Sequence, residues 1–223
     1  MKPIIFSTPM VQAILAGRKT QTRRVLKPQP VIDAHGMWLW KDCQWMDDGL
    51  GFPASGIEDY APYKPGDILW VRETWQHVMD DFDKCIEGTG EYYYAADGEP
   101  GFTYWVDPHT GEHKERMPWR PSIHMPREAA RLFLRVTDVR AERVQDISEE
   151  DAKAEGVTAI NNSECGYRGA FRELWNTLNA KRGFDWYTNS WVWVIRFERL
   201  DTLALAVRAG AEPVYQQLLR SAT

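Results

Sequence analysis

The run Trp191-Val192-Trp193-Val194-Ile195-Arg196-Phe197-Glu198 constrains this chain more than any other stretch. Its indoles, β-branched residues and phenylalanine favour the pleated, extended backbone, and period-two alternation places Trp191, Trp193, Ile195 and Phe197 on one face. Three further segments read as strands. Pro3-Ile4-Ile5-Phe6 is short and apolar, Ile68 to Trp75 follows the turn Pro65-Gly66-Asp67, and Ala130 to Val139 alternates through Leu132, Leu134 and Val136.

Helices are few and short. Ser7 or Thr8 offers an N-cap before Pro9, Met10, Val11, Ile14 and Leu15 recur at helical spacing, and Gly17 suits the left-handed residue that ends such a helix. Ser148 caps a second helix, with Glu149, Glu150 and Asp151 in its first turn, and Gly156 closes it directly after Glu155. Phe171, Leu174, Trp175 and Leu178 define a third. The order β-α-β-β-α-α-β, with short strands and few alternating units, argues against a doubly wound sheet. It predicts an α+β fold, a small mixed β-barrel with peripheral helices.

Aromatic-rich irregular stretches interrupt this frame. Seven of the eleven tryptophans lie between Trp38 and Trp119, among Gly, Asp and Pro, so two ordered insertions are expected at about 28–62 and 78–120. The first is expected to hold a hairpin at 36–41. In the second, Glu91 to Ala95 is expected to pair with Phe102 to Trp105 across Asp97-Gly98. One domain then spans 1–200, and 201–223 forms a helical tail.

Bulk properties narrow the setting. Hydrophobic residues make up 43% of 223, enough for a core. No apolar run approaches the about 20 residues that span a bilayer, and no signal-peptide layout opens the chain, which predicts a cytoplasmic protein with no membrane partner. Cys43, Cys85 and Cys165 are far apart without C-x-x-C spacing, as expected for reduced thiols.

Positive charge is local. The net charge is −5, yet Arg18, Lys19, Arg23, Arg24 and Lys27 fall within ten residues, beside Thr20 and Thr22. Such a loop suits an anionic ligand, because ammonium and guanidinium groups give charge-assisted hydrogen bonds. It equally suits a solvated turn, with Arg18 and Lys19 complementing the negative end of the first helix. If Lys19 to Val25 were fully extended, Thr22 would point away from Lys19, so their convergence needs a bend.

The spacing Gly17-x-Lys19-x-x-x-x-Arg24 resembles the signature of the ASCH domain, a relative of the PUA RNA-binding fold. Gly66-Asp67 opening a strand, the helix Ile147-Ser148-Glu149-Glu150-Asp151-Ala152-x-x-Glu155-Gly156 and the closing strand from Trp191 follow in the family's order. The resemblance covers about residues 3 to 199 and is nearest to larger ASCH proteins of bacteriophages and prophages, which carry aromatic insertions and a Met-Pro-Arg element such as Met125-Pro126-Arg127. It implies a PUA-like β-barrel whose cleft is floored by the basic loop. Some small bacterial members are amidohydrolases that deacylate N4-acylated cytidine, and others have been described as ribonucleases. On the amidohydrolase pattern the catalytic residues fall on Lys19, Thr22 and Glu155.

That assignment is chemically coherent. A threonine hydroxyl needs a base to become a nucleophile, and a lysine serves only if burial or neighbouring cations depress its pKa. Arg18, Arg23 and Arg24 are candidate depressants, Glu155 a candidate acid for the leaving amine, and Arg24 or a loop N–H a candidate oxyanion donor. A purely structural ion pair of Glu155 with Lys19 or Arg24 uses the same residues. Arg23, Arg24, Trp75, Tyr94, Trp105 and Trp119 are the candidate substrate contacts, the aromatics by base stacking. His109 and His113 lie four apart, but Pro108 and Gly111 make that segment a turn, so no metal site or cofactor is expected. Expected ligands are thus a nucleoside, a nucleotide or single-stranded RNA, and the readings are amidohydrolase, non-catalytic modified-base or RNA binder, and ribonuclease.

Overall fold

The computed structural model describes residues 1–32, 38–40, 43–45, 60–78, 91–98, 105–106, 110–114, 118–159 and 166–200. Its strands are β1 (Lys2–Ile5), β2 (Gln21–Val25), β3 (Val31–Ile32), β4 (Trp38–Trp40), β5 (Cys43–Trp45), β6 (Ile68–Arg72), β7 (Trp75–Val78), β8 (Glu91–Tyr94), β9 (Trp105–Val106), β10 (His113–Lys114), β11 (Phe133–Arg143) and β12 (Trp191–Leu200). The α-helices are α1 (Thr8–Leu15), α2 (Glu149–Ala154) and α3 (Gly166–Asn179). The fold is α+β, with a mostly sheet core and few helices; among the described residues no closed barrel is found. No helix among them is long and apolar enough to cross a membrane.

The chain divides into two compact units, each assembled from separated segments: residues 1–15 with 69–133 and 200 onward, and residues 16–68 with 134–199. In the first unit β1 runs parallel to β6, from Lys2↔Leu69 to Ile5↔Arg72. The helix α1 follows, with the Val11 N–H bonded to the Ser7 carbonyl at 3.0 Å and Val11, Ala13 and Ile14 buried. The extended run read as one strand from Ile68 to Trp75 is two. β6 ends at Arg72 and β7 starts at Trp75, because the chain turns to bury Glu73, whose carboxylate accepts Arg131 Nε and Nη2, each at 3.0 Å.

β8 pairs antiparallel with β7, Trp75 opposite Tyr94, while β9 pairs with β10. Residues 95–97 form a 3-10 turn whose Ala95 N–H bonds to the Thr74 carbonyl at 3.0 Å; the expected pairing of Glu91 to Ala95 with Phe102 to Trp105 falls partly outside the described residues. Residues 102–104, like the tail at 201–223, lie outside the described residues.

In the second unit β12 has β2 and β11 as neighbours, and β2 is antiparallel, with Thr22 opposite Ile195 and Arg24 opposite Trp193. Every residue from Trp191 to Ile195 is buried, so β12 is covered on both faces, as a strand in the middle of a layered core must be. β3, β4 and β5 form an antiparallel ribbon in which Trp38–Trp40 is the middle strand; the expected hairpin at 36–41 lies partly outside the described residues. The apolar cluster comprises Val144, Ile147, Ala152, Phe171, Trp175, Trp186, Val192 and Val194. Phe171 and Trp175, one turn apart on α3, enter it, and Trp175 Nε1 donates to the Phe184 carbonyl at 2.8 Å.

α2 is only six residues long, too short to persist on propensity. Its first turn is held by Ser148 Oγ, which accepts the Asp151 N–H at 3.0 Å, and its end is turned by Gly156 at φ +84°. Replacing Ser148 by Ala therefore removes one capping bond, and urea titration of Ser148→Ala should read a loss of about 1 kcal/mol.

Candidate functional site

The basic loop is stitched to the end of α2. Lys19 and Glu155 form an antiparallel bridge, the Thr20 N–H bonds to the Ala154 carbonyl at 2.9 Å, and the Thr20 carbonyl accepts the Phe197 N–H at 2.9 Å. Outside, Arg18 Nη1 donates to the Gly156 carbonyl at 3.1 Å. These backbone bonds lay a cation-rich segment against the C-terminal carbonyls of α2, where positive charge is favoured.

Within that frame the Glu155 carboxylate is shared oxygen by oxygen. Oε2 accepts Lys19 Nζ at 3.0 Å and Oε1 accepts Arg23 Nη1 at 3.1 Å. Lys19 Nζ also donates to the Glu155 carbonyl at 2.8 Å. The pair is deeply buried, with Lys19 2% and Glu155 4% exposed. Burial lowers the Lys19 pKa from its ordinary value; Glu155 opposes the shift, and the charges of Arg24 and Arg23 add to it.

Arg23 ties this pair to a wider network. Its guanidinium donates from Nε to Glu142 at 2.9 Å, from Nη2 to Glu142 and, at 3.1 Å, to Asp151, and from Nη1 to Glu155, while its side chain is fully buried. Phe171 lies under it, ring centroid 5.6 Å from Cζ. Asp151 accepts further bonds from Arg140 Nη2 at 2.7 Å and Arg196 Nη2 at 2.9 Å, and Arg196 Nε donates to Gln21 at 2.9 Å. Burial pushes the Asp151 carboxyl up, but its bonds to Arg196 and Arg23 and the Arg140 charge outweigh this and hold it below the usual range.

Arg24 is half-buried and its pKa is lowered by burial, against the pull of Tyr63 and Glu155 and with the repulsion of Arg182. Tyr63 is pushed up by burial, with Arg24 opposing. The electrostatic neighbourhood of Lys19 and Glu155 thus includes Arg24 and, through it, a phenol.

Of the residues expected from sequence, Lys19, Arg23 and Glu155 meet in direct hydrogen bonds. Thr22 is 3% exposed on β2, opposite Ile195, and strand alternation sends it with Arg24 to the face opposite Gln21 and Arg23. Arg23, expected as a substrate contact, has its guanidinium engaged by Glu142, Asp151 and Glu155. Glu142, Arg140, Arg196 and Gln21 join the network without a local sequence signal, and Asp151 stands in the sequence as an acid of the first turn of α2. The available signal was the Asp151/Glu155 spacing, which puts both carboxylates on one face of a helix.

The expected stacking aromatics belong to the first unit. Trp75 is 4% exposed and packs with Met125 and Ala129, and Arg120 Cζ lies 5.2 Å from its ring centroid. Tyr94 carries Arg131 at 3.9 Å over its ring, and its hydroxyl donates to the Ala129 carbonyl at 2.7 Å. One face of each ring is therefore already covered by a guanidinium. Trp119 is half-buried, and the side chain of Trp105 and the residue His109 lie outside the described residues.

Comparison with protein-family models finds no match, and no curated protein matches the chain. Among solved structures, the chain is similar to the crystal structure of protein EF3133 from Enterococcus faecalis, of family model DUF984, at 14% identity and a TM-score of 0.36, covering 90% of this chain and 72% of that one. A likeness of that size does not establish a shared fold.

The charge network generates an acid-side prediction. A carboxyl whose folded pKa is depressed contributes stability that is complete above its unfolded value, near 4, and is lost as pH falls through the lower folded value. Asp151→Asn should therefore destabilise the protein at pH 7, with the gap between variant and wild type closing as pH drops below about 4. Thermal melts across that range measure it; a gap that stays constant with pH would show that the Asp151 charge is not what stabilises the fold.

Proposed function

We propose that the second unit is an ASCH-type amidohydrolase acting on N4-acylated cytosine nucleosides or a related modified pyrimidine. The observation that carries this reading is the buried contact between Lys19 Nζ and Glu155 Oε2 at 3.0 Å. In such a contact the charged pair and the neutral amine–acid pair differ only by one proton moved along one hydrogen bond. Burial penalises the charged form of Lys19 and lowers its pKa, which favours a basic amine at this position.

The chemistry then balances. The Lys19 amine takes the Thr22 hydroxyl proton, and the Thr22 oxygen attacks the amide carbonyl. The resulting oxyanion is met by Arg24. The C–N bond breaks as Glu155 passes its proton to the exocyclic nitrogen, and water then hydrolyses the acyl-threonine, regenerating the hydroxyl. Because alternation along β2 sets Thr22 opposite Arg23, the reading requires Thr22 Oγ1 to come within hydrogen-bond reach of Lys19 in the substrate complex.

A second reading is favoured by Lys19 Nζ also holding the Glu155 main-chain carbonyl at 2.8 Å. That doubled bond suits a static clamp in a non-catalytic RNA- or modified-base-binding module. The two are separated by incubating wild type, Lys19→Ala, Thr22→Ala, Glu155→Ala and the control Thr20→Ala with N4-acetylcytidine. The enzyme reading expects turnover that falls about a hundredfold or more in the first three variants and survives in the control. Turnover unaffected by Thr22→Ala would remove the nucleophile assignment. Salt-sensitive RNA binding with no turnover by wild type would establish the binding module instead.

A further inference from the structure

We infer that Arg23 is the positioning residue of this site, fixing which oxygen of Glu155 exchanges a proton with Lys19. The inference rests on the reading of Lys19 and Glu155 as base and acid, and adds a residue that touches neither substrate nor reacting atom.

Asp151 on α2 and Glu155, the residue that caps its C-terminal end, lie one turn apart, and Arg23 reaches both, Nη2 to Asp151 Oδ2 at 3.1 Å and Nη1 to Glu155 Oε1 at 3.1 Å. A planar guanidinium bound at both ends cannot rotate without breaking one bond. Its other edge is fixed by Glu142 on β11 and its face by Phe171 on α3. Glu155 Oε1 is thereby committed to a cation that does not titrate, leaving Oε2 to Lys19. The charges facing the pair are Arg23 and Arg24 from β2; Glu142 and Arg140 from β11, Asp151 from α2 and Arg196 from β12 act through Arg23 or Asp151. Arg23 is bonded both to Glu155 and to the rest of the network.

Charge and fork can be separated experimentally. Arg23→Lys keeps the positive charge and loses the planar fork; Arg23→Gln loses the charge. The full-length proteins are labelled with 13C at lysine Cε, the Lys19 signal is assigned by its absence in Lys19→Met, and its titration is followed by NMR beside the pH profile of N4-acetylcytidine hydrolysis. Removing the nearby cation should raise the Lys19 midpoint by about one unit in Arg23→Gln, carrying the profile with it. Arg23→Lys should leave the midpoint in place while kcat falls about ten- to a hundredfold and KM stays constant.

A merely structural role would lower the melting temperature and active fraction of both variants while kcat per folded Arg23→Lys molecule stays at the wild-type value; that result, or a Lys19 midpoint unmoved in Arg23→Gln, overturns the inference. If Arg23→Gln does not fold, Glu142→Gln replaces it. Glu142 bonds to Arg23 and Arg140 rather than to the Lys19–Glu155 pair, so its neutralisation should lower the Lys19 midpoint through a less screened Arg23, and an unmoved midpoint again overturns the inference. The NMR arm also separates the two claims. No turnover by wild type refutes the proposed activity and leaves a midpoint shift as evidence only of charge coupling between Arg23 and Lys19; turnover by wild type with an unmoved midpoint refutes the role of Arg23 alone.

Discussion

One carboxylate organises the second unit. Glu155 is 4% exposed and divides its two oxygens between a lysine and an arginine from the same N-terminal segment. A carboxylate taken out of water without partners costs several kcal/mol, so its burial obliges the chain to deliver cations to it. The bridge at Lys19 and the bonds of Thr20 to Ala154 and Phe197 are the backbone's way of meeting that demand. Deleting one partner of such a pair costs about 3–5 kcal/mol, whereas replacing the whole set by apolar residues is often neutral. Stability alone is therefore a poor reason for the arrangement, which is what motivates the proposed chemical use of the buried amine.

The surroundings keep that amine dry. Ala152 on α2 and Phe171 on α3 belong to the apolar cluster with Val192 and Val194, and Phe171 lies under the Arg23 guanidinium. A low-dielectric wall on one side raises the weight of each charge on the other. The lowered pKa of Lys19 and the depressed pKa of Asp151 arise within this one neighbourhood, the first because burial prevails over Glu155, the second because three guanidinium groups prevail over burial.

Local rules made much of this legible in the sequence. Ser148 capping α2, Gly17 and Gly156 in left-handed turns and the strand from Trp191 depend on near neighbours in the chain, and each is found where those rules place it. Long-range partners were another matter. Lys19 and Glu155 are 136 positions apart, and only the resemblance to a family pattern paired them. Arg23 read as one more cation in a basic loop, because nothing local distinguishes an arginine facing solvent from one facing Glu142, Asp151 and Glu155. The break between β6 and β7 was hidden for the same reason: Ile68 to Trp75 has strand propensity throughout, and the turn at Glu73 is imposed by Arg131, 58 residues away. The pairing of β8 with β7 follows from that break.

The Glu73–Arg131 pair also shows why burial of a glutamate beside a guanidinium does not by itself mark a site. There both carboxylate oxygens are taken by one arginine in a two-point fork, and Tyr94 covers the face of that arginine. Burial raises the Glu73 pKa and Arg131 opposes it, but the hydrogen-bonded partner does not titrate, so no proton has anywhere to go. Glu155 differs in that one of its oxygens faces an amine, a group able to give up and take back a proton, whose pKa burial lowers. That asymmetry, an arginine on Oε1 and a lysine on Oε2, distinguishes this pair from Glu73–Arg131 and is the feature on which the proposed acid–base role of Lys19 rests.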